Sequence, residues 1–165
     1  MRISKIAAVA VLATTGACAR FSGAPNGDSI TTTVGTNRQT TMETARTELM
    51  HHGFTVTRVG DQMLVTAPRP VPEYLREVST ARPGPGQQWF LVVESSDVRF
   101  FRGTHLRVSG YLMPPGAGTA AAVRNGKRLD QNAIPITQQN PRLFREVQAA
   151  AGWIESEAQR SNKKK

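Results

Sequence analysis

The sequence predicts an α+β domain, in which an antiparallel sheet of about five strands has two helices packed on one face. Two segments, 41–52 and 140–160, place apolar residues at helical spacing. Between them lie short segments rich in β-branched and aromatic residues, separated by turns that contain Gly, Pro and Ser. The chain of 165 residues shows no internal repeat and is long enough for one such domain.

The first helix is predicted at about 41–52. Thr40 and Glu43 have the spacing of a capping box, with Thr40 as the N-cap, and Gly53 supplies a C-terminal stop. One face of this helix carries the apolar residues Met42, Ala45 and Leu49. A hairpin follows, with strands at 54–59 and 62–67 joined by a tight turn at Gly60.

The strongest strand signal is the segment 88–94, which precedes a predicted turn at 95–97 and further strands at 98–102 and 104–113. In the last strand, apolar residues alternate with more polar ones, which predicts one buried face and one wet face. The wet face is predicted to carry His105, Arg107, Ser109 and Tyr111. These strands together predict an antiparallel meander.

The final helix is predicted to begin with Asn140 as its cap and Pro141 at its first position, and to run to about residue 160. Before it lies a long connector, 114–140, in which 134–136 is a candidate edge or irregular piece of the sheet. The apolar stripe of the helix consists of Leu143, Phe144, Val147, Ala151, Ile154 and Ala158. This stripe needs a partner, and the apolar face of the sheet is the natural one.

The first seventeen residues have the three-part layout of a secretory signal. Arg2 and Lys5 supply positive charge, the segment 6–13 is uniformly apolar, and residues 14–17 are small. The apolar stretch is shorter than the roughly 20 residues that a membrane-spanning helix needs. The sequence therefore predicts export rather than a transmembrane anchor.

The signal ends in Thr15-Gly16-Ala17-Cys18, which resembles the lipobox of bacterial lipoproteins. The resemblance covers the leader only, and it implies that Cys18 receives a diacylglyceryl group and becomes the mature N-terminus. Ala19 follows, rather than Asp, which in such lipoproteins is compatible with the outer membrane where the organism has one. The resemblance thus implies a protein anchored to a membrane on its periplasmic or extracellular side. The alternative is an ordinary secretory signal that leaves a soluble protein.

This layout divides the chain into a signal at 1–17, a lipidated cysteine and flexible tether at 18–37, a single domain at 38–160, and a basic tail at 161–165. Ser29–Val34 is rich in β-branched residues and is a candidate edge strand within the tether. The tail is expected to be a solubilising terminus, with contact to anionic lipid as the alternative.

The net charge of +9 resides mostly at the two ends, which hold six of the positive charges, so residues 18–159 carry only +3. Arginines in this part are scattered among acids, and Lys127 is its one lysine. This distribution is unlike the continuous basic stripe of a nucleic-acid-binding protein. We therefore expect no nucleic acid as a partner.

The sequence predicts no catalytic residue, no metal and no cofactor. His51 and His52 are adjacent on a helix, so their side chains point about 100° apart, and capping is a better explanation than joint metal ligation. Ser95, Ser96, Asp97 and His105 contain the residue types of a catalytic triad, but the chain lacks the Gly-x-Ser-x-Gly elbow that would support one.

One candidate ligand-binding face emerges from the predicted meander. It mixes cations with aromatic residues, a combination suited to binding an anionic or sugar-bearing envelope component. The residues of this face are Arg99, Phe101, His105, Arg107 and Tyr111. The alternative, which we favour, is a solvated sheet face in which arginines and aromatics contact one another across strands.

The expected function is that of a non-enzymatic, lipid-anchored envelope protein acting as a binding or scaffold module. Its partners would be the membrane, through the lipid on Cys18, and another envelope protein; the oligomeric state is not predicted. A soluble secreted domain that binds a small or anionic ligand on the arginine and aromatic face is one alternative. An enzyme whose site is assembled from scattered residues is another, although no motif supports it.

Overall fold

A ten-residue antiparallel ladder between β5 (Gln88–Asp97) and β6 (Thr104–Met113) forms the centre of the protein in the computed structural model. The structure describes residues 29–75, 87–98, 103–113, 123–124, 128–129 and 133–163. The other described elements, in chain order, are β1 (Ser29–Val34), α1 (Arg38–His51), β2 (Val56–Val59), β3 (Met63–Thr66), β4 (Arg69–Pro70), a 3₁₀ turn (Glu73–Leu75), β7 (Val123–Arg124), β8 (Arg128–Leu129), β9 (Ile134–Pro135) and α2 (Pro141–Lys163).

The fold class is α+β, as predicted. Five strands form an antiparallel sheet in the order β1-β6-β5-β3-β2. Two strands of two residues extend it, because β4 pairs with β5 and β9 pairs with β6. The predicted edge piece near residue 134 is therefore present as β9. The β7 and β8 strands form a separate antiparallel pair.

The first face of the sheet is defined by the residues of β5 and β6 that belong to the main core: Trp89, Leu91, Val93, Leu106, Val108 and Leu112. The predicted apolar residues of α1 lie in the same cluster, as do six buried residues of α2: Leu143, Phe144, Val147, Ala150, Ala151 and Ile154. Burying these side chains together supplies the main free energy that holds helices and sheet in one domain, at about 25 cal/mol per Å² of apolar surface.

At Gly110 the backbone of β6 lies close to a side chain of α2. Gly110 pairs with Leu91 of the first face, and a Cβ atom at this position would lie 2.5 Å from Val147 Cγ2 and 3.0 Å from Ile136 Cδ1. Ile136 also donates its backbone N–H to the carbonyl oxygen of Gly110, at 2.8 Å. A residue without a side chain is needed here because α2 and the segment before it pack directly on the strand.

α1 has its own contacts with the sheet and with α2. Arg58 of β2 donates a hydrogen bond from Nη1 to Glu43 Oε1 at 3.0 Å, which links the edge strand to the helix. At the other end of α1, the rings of His52 and Trp153 stack with centroids 3.5 Å apart and an angle of 9° between their planes. The two helices are therefore connected through side chains as well as through the core.

The predicted start of the first helix is wrong by three residues. α1 begins at Arg38, and its N-cap is Asn37, whose Oδ1 accepts the backbone N–H of Thr40 at 2.9 Å. Thr40 is thus the donor to the cap rather than the cap itself, and Glu43 bonds Arg58 instead of closing a capping box. Asn is at least as good an N-cap as Thr, which explains why the earlier position prevails.

The predicted turn at 95–97 is also wrong. Ser95, Ser96 and Asp97 continue β5 and pair with residues of β6, and the backbone N–H of Ser95 is bonded to Gln62 O at 2.9 Å. The connection is made further on, where Val98 donates its backbone N–H to Gly103 O at 3.2 Å. Of the strand predicted at 98–102, residues 99–102 lie outside the described part of the chain.

Both ends of the domain extend beyond their predicted limits. Ser29–Val34 forms β1, an edge strand that pairs with β6, so these residues belong to the sheet rather than to a flexible tether. α2 begins at Pro141 as predicted but continues to Lys163, which places part of the predicted tail in the helix. Neither helix in the described ranges has the length and apolar content that a membrane span needs.

The close contact at Gly110 gives a test of the packing. We expect Gly110→Ala to lower the free energy of unfolding by about 1–3 kcal/mol, because the new methyl group overlaps Val147. Adding Val147→Ala should recover part of this loss, so that the double variant loses less than the sum of the two single variants. Urea denaturation of all four proteins measures this coupling, and strictly additive losses would contradict the contact.

Candidate functional site

The second face of the sheet carries the residues that alternate with those of the first face. On β6 these are His105, Arg107, Ser109 and Tyr111, which lie opposite Ser96, Glu94, Val92 and Phe90 of β5. The predicted alternation along β6 is therefore present. The second face is nevertheless not uniformly wet, because its two ends differ in burial and in chemistry.

The polar strip is the exposed half of the second face, where β1, β5 and β6 meet. It consists of Thr31, Thr33, Glu94, Ser96, His105 and Arg107. His105 Nδ1 and Thr33 Oγ1 are joined by a hydrogen bond of 2.8 Å across the strands. Arg107 Nε lies 4.0 Å from Glu94 Oε2, and both side chains are about half exposed, at 52% and 42%.

The apolar cluster is the other half of the second face. Its buried members are Val65, Phe90, Val92 and Met113. Four half-buried residues pack against them: Val59, Met63, Tyr111 and Ala133. Ser109, on the border with the polar strip, is only 1% exposed. The prediction of a fully wet face is therefore wrong from Ser109 onward, because apolar residues of β5 lie beside this part of β6 and Val65 of β3 belongs to the same cluster.

The structure separates the predicted site residues into groups. His105 and Arg107 lie together in the polar strip. Tyr111 belongs instead to the apolar cluster, where its ring stacks on that of Phe90 with centroids 5.6 Å apart and an interplanar angle of 24°. Arg99 and Phe101 lie outside the described residues. The arginine and aromatic face thus does not form one site within the part of the chain that the structure describes.

The sequence prediction missed the residues that face His105 and Arg107 from neighbouring strands. Glu94 and Thr33 are brought there by pairing, and neither is close to these residues along the chain. A turn at 95–97 would have placed Glu94 beside the turn and far from Arg107. The correct register was needed to find the pair, and the register depends on where the turn after β5 lies.

The electrostatics of the polar strip are those of an adaptable surface. A half-exposed ion pair at 4.0 Å contributes about 0–1 kcal/mol to stability. Glu94 and Arg107 can therefore leave each other and bind groups on a partner with little loss of stability. The strip offers a cation, a carboxylate, hydroxyl groups and an imidazole on rigid strands. This chemistry suits hydrogen bonding to a polar protein surface rather than capture of an isolated anion.

The remaining candidates from the sequence are accounted for by local contacts. His51 Nδ1 lies 3.6 Å from Glu48 Oε1, whereas His52 stacks on Trp153, so the two histidines point to different neighbours. No group of three or more His, Cys, Asp or Glu side chains is placed to hold a metal ion within the described segments. A groove of about 500 Å³ between α1 and the end of α2 is lined by Glu43, Glu48 and Glu157.

Two of the three acids of that groove already contact arginines. Glu43 contacts Arg58, Glu48 contacts His51, and Glu157 Oε2 lies 3.2 Å from Arg160 Nη1. The groove is therefore less negative than its acidic residues alone suggest.

Comparison with protein-family models found no match to this chain. Comparison with curated proteins found no match either. The assignment of function therefore depends on the site itself.

Alanine substitutions in the two halves of the second face should change the free energy of unfolding by different amounts. Arg107→Ala and Glu94→Ala are each expected to change the free energy of unfolding by less than about 0.5 kcal/mol, because the pair is exposed to solvent. Phe90→Ala is expected to cost about 3–5 kcal/mol, because Phe90 is fully buried. Chemical denaturation compares the three variants, and a large loss on truncating Arg107 would show that the polar strip is needed for folding.

Proposed function

We propose that this chain is a non-enzymatic, lipid-anchored protein of the bacterial envelope, and that its domain binds another envelope protein through the polar strip. The observation that carries the binding proposal is the exposed pairing of Glu94 with Arg107 beside the Thr33–His105 hydrogen bond. These side chains lie on paired strands whose other face packs in the main core. A partner can therefore bind them without the entropic cost of ordering a loop. Their weak mutual interaction leaves them available to a partner.

The anchor proposal depends on the leader and on Cys18. Lipid-modified cysteines that carry more than one acyl chain give stable membrane attachment, whereas one chain gives marginal attachment. Cys18 lies eleven residues before Ser29, the first residue of β1, and a fully extended chain of that length spans at most about 40 Å. A lipid on Cys18 would therefore keep the domain close to the membrane surface.

The anchor and the polar strip are connected through β1. This strand begins eleven residues after Cys18, and its Thr31 and Thr33 pair with Arg107 and His105. A partner that engages the polar strip would thus also lie close to the membrane. This geometry favours a partner that is itself in the membrane or attached to it.

The alternative of a soluble domain that captures an anionic ligand receives less support. Arg107 has a carboxylate neighbour, Glu94, which reduces the attraction for an anion. Tyr111 lies four residues further along β6, about 13 Å away at 3.3–3.4 Å per residue, and stacks on Phe90. The aromatic ring and the arginine are therefore separated.

The anchor is tested by Cys18→Ser in the full-length chain. We expect the wild-type protein in the membrane fraction, with a lipid-sized mass increment on a species that begins at Cys18. The variant should move to the soluble envelope fraction, because serine lacks the thiolate that accepts the lipid. Unchanged membrane association of the variant, or an unmodified wild-type mass, would refute lipid anchoring.

The binding surface is tested by chemical cross-linking and co-purification from native membranes. Arg107→Glu is expected to reduce recovery of the specific partner about tenfold or more, because it places a second carboxylate beside Glu94. Arg145→Glu, on the exposed surface of α2, is the matched control and should leave recovery unchanged. Equal recovery with both variants would exclude the polar strip as the interface.

A further inference from the structure

β1 forms one edge of the main sheet, and β2 forms the other. β1 pairs with β6 along its whole length, from Ser29 opposite Ser109 to Val34 opposite Thr104. Its other side has no strand beside it in the part of the chain that the structure describes. The hydrogen-bonding pattern of β6 determines which backbone groups of β1 point to that open side.

Alternate residues of an antiparallel strand direct their N–H and C=O groups to the same neighbouring strand. Gly110 accepts the N–H of Ile136 at 2.8 Å, so its backbone faces the side of β6 on which β9 and β1 lie, opposite to β5. Two-residue steps along β6 lead from Gly110 to Leu106, whose partner in β1 is Thr32. The backbone of Thr32 therefore bonds β6, and the backbone groups of its two neighbours in β1 point away from β6, to the open edge.

Thr31 and Thr33 carry these outward-pointing backbone groups. Thr31 is half-buried and Thr33 is exposed, whereas Ser29, at the start of the strand, is only 1% exposed. Among the described residues, no loop or side chain bonds the outward N–H and C=O groups of either threonine. The accessible part of the edge thus consists of the backbone of these two threonines.

The two edges of the sheet differ in how they are protected against pairing with another chain. β2 has four residues, and its Arg58 contacts Glu43 and Asp61, which places charged groups at that edge. β1 has six residues, of which five are β-branched and none is charged, Pro or Gly. Natural proteins protect free edges with short strands, charges and Pro. β1 has none of these features, as expected of a strand that pairs with another chain.

A second copy of β1 fits this edge without a conflict of charge. Like charges directly opposite each other destabilise a strand pair, and two uncharged β1 strands bring none together. An antiparallel pair centred on Thr32 places Thr31 of each copy opposite Thr33 of the other. Each of these two pairs exchanges two backbone hydrogen bonds, which gives four across the interface. The same register sets Ile30 opposite Val34 and does not need the buried first residue of the strand.

We propose that the chain forms a twofold-symmetric dimer in which the open edge of β1 pairs with β1 of a second copy, antiparallel about Thr32. The main sheets of the two copies then form one continuous sheet, and the interface closes at two subunits. Residues directly opposite each other in a strand pair lie on the same face, so the two polar strips lie on the same side of the dimer. The inference goes beyond the proposed function, because the interface uses backbone groups of the edge rather than the charged side chains of the polar strip.

Sedimentation equilibrium of the full-length chain over a range of concentrations tests the dimer. A Cys18→Ser background removes the one cysteine and with it any disulfide-linked dimer. Thr33→Pro should raise the dissociation constant about tenfold or more, because the dimer loses two of its four backbone hydrogen bonds. An edge strand tolerates Pro where the missing N–H faces away from the sheet. Thr33→Val is the matched control: it also loses the hydroxyl group that bonds His105, but it keeps the N–H and should dimerise like the parent.

Engineered cysteines in the same background test the register. Thr32→Cys places the two thiols in a non-hydrogen-bonded pair, where Cα atoms lie about 4.5 Å apart and a disulfide can form. Mild oxidation should therefore give a covalent dimer, whereas Thr57→Cys, exposed on β2, should give little.

A monomer at every concentration, equal dissociation constants for the Pro and Val variants, or equal oxidation of the two cysteine variants would overturn the proposal. None of these results changes the expected recovery of a partner through the polar strip, so the dimer and the proposed function can fail separately.

Discussion

The ladder between β5 and β6 is the constraint on which the rest of the structure depends. Four of the other strands pair with one of these two: β1 and β9 pair with β6, and β3 and β4 pair with β5, while β2 joins the sheet through β3. Because side chains alternate along a strand, the register of this one ladder decides which residues enter the core. A slip by one residue would exchange Leu91 and Val93 for Phe90 and Val92 on the first face.

The two sheet faces that this register defines differ in packing and in polarity. The first face carries the main core and is packed so closely against α2 that a Cβ atom at position 110 would overlap Val147. The second face changes from polar to apolar along β6, with Ser109 at the border. This change gives the domain one surface of exposed, hydrogen-bonding side chains on a rigid support. β1 belongs to the same surface, which connects it to the segment that carries Cys18.

The sequence alone predicts correctly those parts of the fold that depend on residues close together along the chain. Pro141 marks the start of α2, and the alternation in β6 separates the two faces correctly, since both signals depend only on neighbouring residues. The predicted start of α1 is wrong because Asn37 and Thr40 are both good caps, and Asn37 is the one whose side chain accepts a backbone N–H of the first turn. The end of β5 was misplaced because Ser95 and Ser96 favour turns, while pairing with β6 keeps them in the strand.

The candidate site was harder to predict than the fold. The Glu94–Arg107 and Thr33–His105 pairs are contacts between strands distant in sequence, so they follow from the register and not from any motif. The apolar cluster did have a signal in the sequence. The run from Trp89 to Val93 is apolar at every position, which is typical of a strand buried on both faces.

The central claim is that the β5–β6 register divides the second face into an exposed and a covered half, and thiol labelling along β6 tests it most directly. In a Cys18→Ser background, single cysteines are introduced at His105, Arg107, Ser109 and Met113, and the rate of alkylation is measured under native conditions. The account predicts fast labelling at positions 105 and 107 and strong protection at positions 109 and 113. Equal labelling rates at all four positions, in variants that remain folded, would contradict it.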